Sequence, residues 1–515
     1  MPTPDRPLPG VERCVSSMDS TSSRRAAENP APSSPRAPSP LDCCTHIHGK
    51  WYDLRQFSHP GGPVALSLAY GRDATVLFEQ SHAFTDRARL AALLAPLRVD
   101  SDVSAELHAR FPHVAGEAAV FDFDAAAATL AAPASSGALV AAPASTASAD
   151  AFEADVLSLA RSYFAGEAAR RGVSVRTATK APPLRWFHFF FLLALFLLSI
   201  PPLIRGWWPA LFITPTLCWI WMVNYWHDAA HFAMSERWAV NSALTYAAPW
   251  FSSPLIWYHQ HVVGHHAYTN IPGRDPDLYH APSMWRFSTD IRVRPAHGYQ
   301  ACSTPLLWLI SVPTLLMLKP LVALRTGVYN RVVVLQKMSA WRIAMHLAGR
   351  VGVFASLYVW PFFAFPGNYS KAFAFAIVPI AVYSAWFMAS SQPNHHSEDC
   401  RGDERSGTCD VGGKEASDAA PRRVNWYRHQ CSTSQTVAPG SEVAFWLSGG
   451  LNLQCEHHLF PTVNHWHLRS LQPHVEAIAK RHGVPYPRSA TIGEAFSKLW
   501  AYLRIMGRKN TPKTK

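Results

Sequence analysis

The chain has 515 residues, 49% of them hydrophobic, and a formal net charge of +12. Its mean hydropathy is nevertheless near zero, which points to apolar membrane segments diluted by polar regions. The Lys and Arg largely flank apolar runs, so the charge suits an anionic membrane surface and argues against nucleic acid as a partner.

Nine cysteines, an odd number without Cys-x-x-Cys spacing, fit no closed disulfide framework and suit a reduced, cytosolic setting. Residues 1–42 are rich in Pro, Ser and Arg and read as a disordered tail. They lack the apolar core of a signal peptide, so insertion would rely on internal helices.

Residues 43–115 are mixed in polarity and read as a small soluble domain. His59-Pro60-Gly61-Gly62 precedes Gly71-Arg72-Asp73-Ala74-Thr75, and His82 follows. Two imidazoles on opposite sides of a haem leave no open coordination position, so such a site passes electrons without binding oxygen. With Trp51-Tyr52-Asp53-Leu54, Phe57 and Phe78, the constellation resembles cytochrome b5 over roughly 43–100. That resemblance implies an α+β fold and makes His59 and His82 the axial ligands of a haem b. Residues 116–150 are Ala/Ser/Pro-rich and read as a low-complexity linker.

Residues 151–505 form the expected membrane domain, followed by a basic tail at 506–515. A helix crossing a hydrocarbon core of about 30 Å needs about 20 residues. Four segments qualify: about 186–204, 207–226, 343–365 and 371–391. The stretch at 303–324 carries Pro305, Pro313 and Pro320 and is placed at the interface by parity. Counting it as a span would strand one histidine cluster on the opposite side of the bilayer. Lys and Arg crowd the segments before 186 and between 227 and 342, which puts these on the cytosolic face. Glu398 to Arg423 reads as a mobile charged loop.

Three histidine clusters border the apolar segments: His227 and His231, then His261, His265 and His266, then Gln454, His457 and His458. On an α-helix, residues three and four apart share a face, so each cluster is expected to converge its side chains at one helix end. Imidazole suits iron, copper and zinc alike. Seven histidines exceed the needs of one metal and fit two. Asp228, Asp275 and Asp277 are placed to accept from the second ring nitrogen of metal-bound imidazoles.

The order and spacing of these clusters resemble the membrane fatty-acid desaturases. They resemble more narrowly the front-end desaturases with a fused cytochrome b5, over about 43–100 and 180–505. Those enzymes carry Gln where others have the first His of the third cluster, and Gln454 stands there, within Gly450-Leu451-Asn452-Leu453-Gln454-Cys455-Glu456-His457-His458-Leu459-Phe460-Pro461. The family's isolated histidine after its fourth helix matches Gln392-Pro393-Asn394-His395. This makes His395 the eighth histidine ligand, with the neighbouring His396 left as the other choice.

The resemblance implies an α-helical integral membrane domain of four spans plus interfacial helices, holding two non-haem iron ions. It implies oxygen-dependent insertion of a cis double bond into a long polyunsaturated acyl chain, carried by coenzyme A or phospholipid, on the carboxyl side of an existing double bond. Electrons would come from NADH through cytochrome b5 reductase. The setting implied is the endoplasmic reticulum membrane, with haem and di-iron site on the cytosolic side. The Tyr258–His266 stretch is most similar to the Δ5 members, ahead of Δ4 and Δ6. Competing readings are a sphingolipid long-chain-base desaturase or lipid hydroxylase on the same scaffold, and a non-enzymatic membrane electron carrier.

Overall fold

Cys44–Ile47 (β1) and Lys50–Asp53 (β2) pair in an antiparallel hairpin whose middle residues are largely buried. The two turn residues, His48 and Gly49, take the positive φ angles that such a tight connection requires. This computed structural model describes residues 39–116, 120–131, 150–247, 253–336, 338–401 and 423–508. The expected tail at 1–42, linker at 116–150, loop at 398–423 and tail at 506–515 fall mostly outside the described residues.

Behind the hairpin stand Gly62–Ala69 (α1), Thr75–Ser81 (α2) and Arg87–Leu94 (α3). Ile47, Tyr52, Leu54, Phe78 and Leu90 form their common core. The result is the small α+β domain expected from the sequence. It is not separate from the rest: Ser39–Lys515 is one compact unit. Val64 and Leu68 of α1 share an apolar cluster with Trp226, Tyr258 and Val262. Val76 and Ala83 share another with Phe164, Leu459 and Phe460.

Among the described residues, three helices are long and apolar enough to cross a membrane: Val175–Ile204, Ala340–Ala364 and Tyr369–Asn394. Leu198 and Phe363 are 71% and 75% exposed, the pattern of side chains that face lipid and not a protein core. The expected span at 207–226 is a helix that starts at Ala210 and runs to Ala230 through a π-helical turn, Met222–Trp226. Its apolar part is short, because Asn224, His227 and Asp228 follow in the same helix. It lies beside the first span, where Thr214 donates to the Ser199 carbonyl.

The segment at 303–324 belongs to one continuous helical run, Gln300 to Thr326. Gln300 donates to the Leu503 carbonyl, and Lys319 donates to Asn330, whose amide donates to the Pro276 carbonyl. Its middle docks on Tyr369–Ser391, where Ser384 accepts from the Val312 amide and Gln392 accepts from Trp308.

Arg185, fully buried at the start of the first span, fastens that helix to the next. Its guanidinium donates to the Asn224 carbonyl and side chain at 2.9 and 3.0 Å. It sits over the Tyr225 ring at 4.8 Å and stands 4.0 Å from Asp228. Without the guanidinium the buried Asn224 oxygens lose their donor, so Arg185→Leu is expected to destabilise the protein by about 1–3 kcal/mol. A melting temperature in detergent equal to that of the parent would contradict this role.

Candidate metal centre

The three histidine clusters and His395 meet at the ends of the helices that carry them. His227 and His231 close the helix that begins at Ala210. His261 and His265 lie in a π-helical stretch, Tyr258–His265, with His266 next. His395 follows Tyr369–Ser391, and His457 and His458 sit on the short helix Gln454–Leu459. All of these imidazoles are buried.

Two groups of nitrogens result: His227, His231, His261 and His457 in one, and His265, His395 and His458 in the other. Within each group the ligand atoms lie within 4.8 Å of one another. His227 Nε2 is 2.9 Å from His261 Nε2, and His265 Nε2 is 3.3 Å from His395 Nε2. Neighbouring ligands at right angles around a metal, with bonds of about 2.1 Å, stand about 3.0 Å apart. His231 Nε2 and His458 Nε2 are buried with no hydrogen-bond partner among the described residues, a need that a bound cation would fill. The arrangement therefore fits two metal ions.

Each motif was expected to converge on itself. His261 and His265, four apart, fall in the two different histidine groups, although their nitrogens also gather with an Asp277 oxygen. His261 Nε2 also approaches His266 Nε2 at 3.2 Å, because the π-helical turn widens the repeat and brings residues five apart into line. His457 and His458 likewise divide: His457 joins the first group and His458 the second. His266 stands between, with its Nε2 3.1 Å from that of His457.

Outer partners fix the rings. His265 Nδ1 donates to Asp275 at 3.2 Å, His395 Nδ1 to the Thr433 carbonyl at 3.1 Å, and His458 Nδ1 to Gln430 at 2.9 Å. Each bond leaves Nε2 for the centre. Asp277 lies 3.6 Å from His265 and accepts from Gln260. The Asp228 carboxylate lies near His227 and His465 but its hydrogen-bond partner is elsewhere. It accepts from Asn464 at 2.7 Å and faces His465 Nε2 at 3.2 Å. His465 in turn meets His457 Nδ1 at 3.1 Å. Sequence reasoning missed His465, Gln430 and Asn464; the run His465-Trp466-His467 close behind the third cluster is the signal for the first.

His396 is not equivalent to His395. Its ring stacks flat on Phe287 at 4.0 Å, away from the two groups. The Gln454 amide nitrogen is 3.0 Å from His395 Nε2, while its oxygen accepts from Asn394.

Burial pushes the His227, His231, His261, His266, His457 and His458 imidazoles well below their ordinary range, which favours the neutral form that ligates. His265 differs. Burial works in the same direction, but Asp275 and Asp277 hold it up at about 9. Burial also pushes the Asp228 carboxyl up to about 8, against the pull of Arg185.

His59 and His82 face each other in the N-terminal domain with Nε2 atoms 3.5 Å apart. Two ligands on opposite sides of one iron stand about 4 Å apart, so a modest opening admits it. His82 Nδ1 donates to the Phe78 carbonyl at 2.8 Å, which aims Nε2 at its partner. A Cβ on Gly61 would stand 2.8 Å from the His59 ring, so the glycine clears space for it. Burial, with His82 and Arg176 adding to it, lowers the His59 imidazole to about 4. The residues fit a bis-histidine haem.

An apolar cavity of about 340 Å³ lies among the membrane helices, lined by residues that include Phe196, Pro215, Trp360, Phe375 and Tyr383. None of its lining residues belongs to the histidine groups.

Gly264 lets the second cluster pack tightly: a Cβ there would stand 2.7 Å from Pro276 and 2.8 Å from Val333. Gly264→Ala is expected to cost about 1–3 kcal/mol of stability and to lower the metal content of the purified protein. Parental melting and metal content together would refute this close approach.

A model of the fatty acid desaturase family matches residues 205–490, and a model of the cytochrome b5-like haem/steroid-binding domain matches residues 34–100. The chain is 28% identical to an acyl-lipid omega-13 desaturase of Chlamydomonas reinhardtii, over 89% of this chain and 92% of that one. It is 26% identical to an acyl-lipid (8-3)-desaturase of Mortierella alpina, over 90% and 93%. It is 25% identical to the Delta(5) fatty acid desaturase A of Dictyostelium discoideum, over 90% and 91%. The chain belongs to the fatty acid desaturase family of di-iron oxidoreductases, and it carries a cytochrome b5-like haem domain on its N-terminal side.

Proposed function

We propose that the protein is a front-end acyl-lipid desaturase of Δ5 type that acts on a long polyunsaturated chain. The observation that carries the reading is the pair of nitrogen groups beside a bis-histidine haem fold within one compact unit. Gln454 at the head of the third cluster supports the front-end assignment. The Δ5 position is supported by the similarity to the Delta(5) and (8-3) enzymes.

His227, His231, His261 and His457 would hold one iron; His265, His395 and His458 would hold the other. His266, between the groups, would complete the set, and Gln454 would stand at the edge of the second. Iron held there supplies oxygen reduction coupled to hydrogen removal from an unactivated C–H bond. For each double bond, two hydrogens leave the chain, two electrons and two protons enter, and one O2 becomes two waters.

The protein's own residues prepare this chemistry. Asp275, Thr433 and Gln430 lock the rings of His265, His395 and His458. The apolar helices bind and orient the acyl chain and keep bulk water away. The basic segments that flank the apolar runs support a cytosolic site in the endoplasmic reticulum membrane. A flavoprotein reductase using NADH would then refill the haem, and the substrate would arrive on coenzyme A or phospholipid.

In a host fed defined polyunsaturated acids, gas chromatography is expected to reveal a new double bond at Δ5. A product desaturated at Δ4 or Δ6 would correct the position, and a hydroxylated product would overturn the reaction. His457→Ala is expected to abolish desaturation with the haem spectrum unchanged, and full activity would remove the di-iron assignment. His59→Ala is expected to lose haem absorbance. His395→Ala should lose non-haem iron while His396→Ala keeps it, and the reverse result would exchange their roles.

A further inference from the structure

We propose that Phe84 and Phe460 form the contact through which electrons pass from the haem domain to the histidine centre, an inference that rests on the di-iron reading above. Phe84 lies two residues past His82, and Phe460 two residues past His458. Their ring centroids are 6.0 Å apart, with planes tilted by 33°. The Phe164 ring meets the edge of Phe84 at 5.4 Å and closes the other side. Phe460 and Phe164 are buried, and Ala83 and Leu459 pack into the same apolar cluster. Phe84, half-buried, packs against this apolar cluster.

Three further observations hold this geometry in place. Arg161 donates to the Ala83 carbonyl at 3.1 Å, pinning the one residue between the haem ligand and Phe84. On the neighbouring side, Arg176 donates to the Pro60 carbonyl at 3.1 Å. Gly62, in a left-handed conformation, lies so close to Trp238 that a Cβ would stand 2.5 Å from the indole. The domain is thus fastened at its haem-ligand loops as well as through α1, where Val64 and Leu68 pack on Trp226 and Tyr258.

Electron tunnelling weakens steeply with distance and weakens least through bonded or touching atoms. The two aromatic rings, each two residues past its histidine, touch between the two loops. A rival route exists: Gln80 donates to the carbonyl of Val262, the residue after His261. At 3.4 Å this is a long, weak bond, and it is reached through a flexible side chain. The aromatic contact is the better conductor. Each passage oxidises one ferrous haem to ferric and delivers one electron. Two passages supply the pair that desaturation consumes, with O2 as final oxidant. Phe84 and Phe460 are positioning residues, since neither is a ligand.

The test uses the full chain in membranes, with a polyunsaturated acid that the parent protein desaturates. The haem is reduced beforehand, and its reoxidation by O2 is followed by stopped-flow absorbance. Reoxidation that depends on the di-iron centre is the part lost in His457→Ala. Phe84→Leu is expected to slow that part by about tenfold, whereas Phe84→Trp and Gln80→Leu stay within about twofold of the parent. The haem spectrum, midpoint potential and non-haem iron content of Phe84→Leu are expected to match the parent, which separates a broken contact from a disturbed fold. If Phe84→Leu loses haem, Phe460→Leu decides the question from the other side. Parental reoxidation in a leucine variant with intact haem and iron overturns the aromatic contact and leaves the di-iron reading standing. Reoxidation in the parent no faster than in His457→Ala overturns both.

Discussion

A cluster of imidazoles whose nitrogens face one another in a buried site is the constraint around which the structure is arranged. Polar atoms taken out of water are costly unless they find partners. His227 and His261 point nitrogens at each other at 2.9 Å, and His457 and His266 at 3.1 Å. His231 Nε2 and His458 Nε2 have no hydrogen-bond partner among the described residues. Cations between the rings satisfy this whole arrangement at once, and the neutral state that burial imposes on most of these rings is the state that binds them.

Holding such a site demands rigid supports, and the fold supplies them from several directions. The first histidines stand on a helix fastened by Arg185 and Asn224. The second set stands on a π-helical turn that Gly264 allows to lie against Pro276 and Val333. Around the outside run carboxylates, carbonyls and amides that accept from the far nitrogens. Asp228, Asn464 and His465 form a second tier behind His457. The haem domain adds the last wall, because Val76 and Ala83 pack with Leu459 and Phe460. Electron donor and oxygen-reducing site therefore share a core.

Much of this was legible in the sequence, for physical reasons. A haem with two histidines and a metal site with several leave residue types that few other structures need, at helical spacing beside apolar runs. Span length is likewise a direct reading of bilayer thickness. What the sequence did not display was how the backbone departs from the ideal helix. The four-residue spacing of His261 and His265 suggested one shared face, and their rings do stack at 5.5 Å, but the π-helical turn also brings His266 to His261. The adjacent His457 and His458 divided for the simpler reason that successive residues on a helix point about 100° apart. His465 and Gln430 escaped notice because a partner role depends on contacts across the fold, such as Gln430 reaching the His266 carbonyl. The choice between His395 and His396 also needed the structure, in which Phe287 takes the second ring.

The central claim is that this chain brings a two-metal histidine site and a haem into one unit. The most direct measurement is the ratio of total iron to haem in the purified full-length protein, iron by mass spectrometry and haem by absorbance of its pyridine complex. The account predicts about three irons for each haem, one in the macrocycle and two held by histidine. One iron per haem, in protein that still desaturates its substrate, would contradict it.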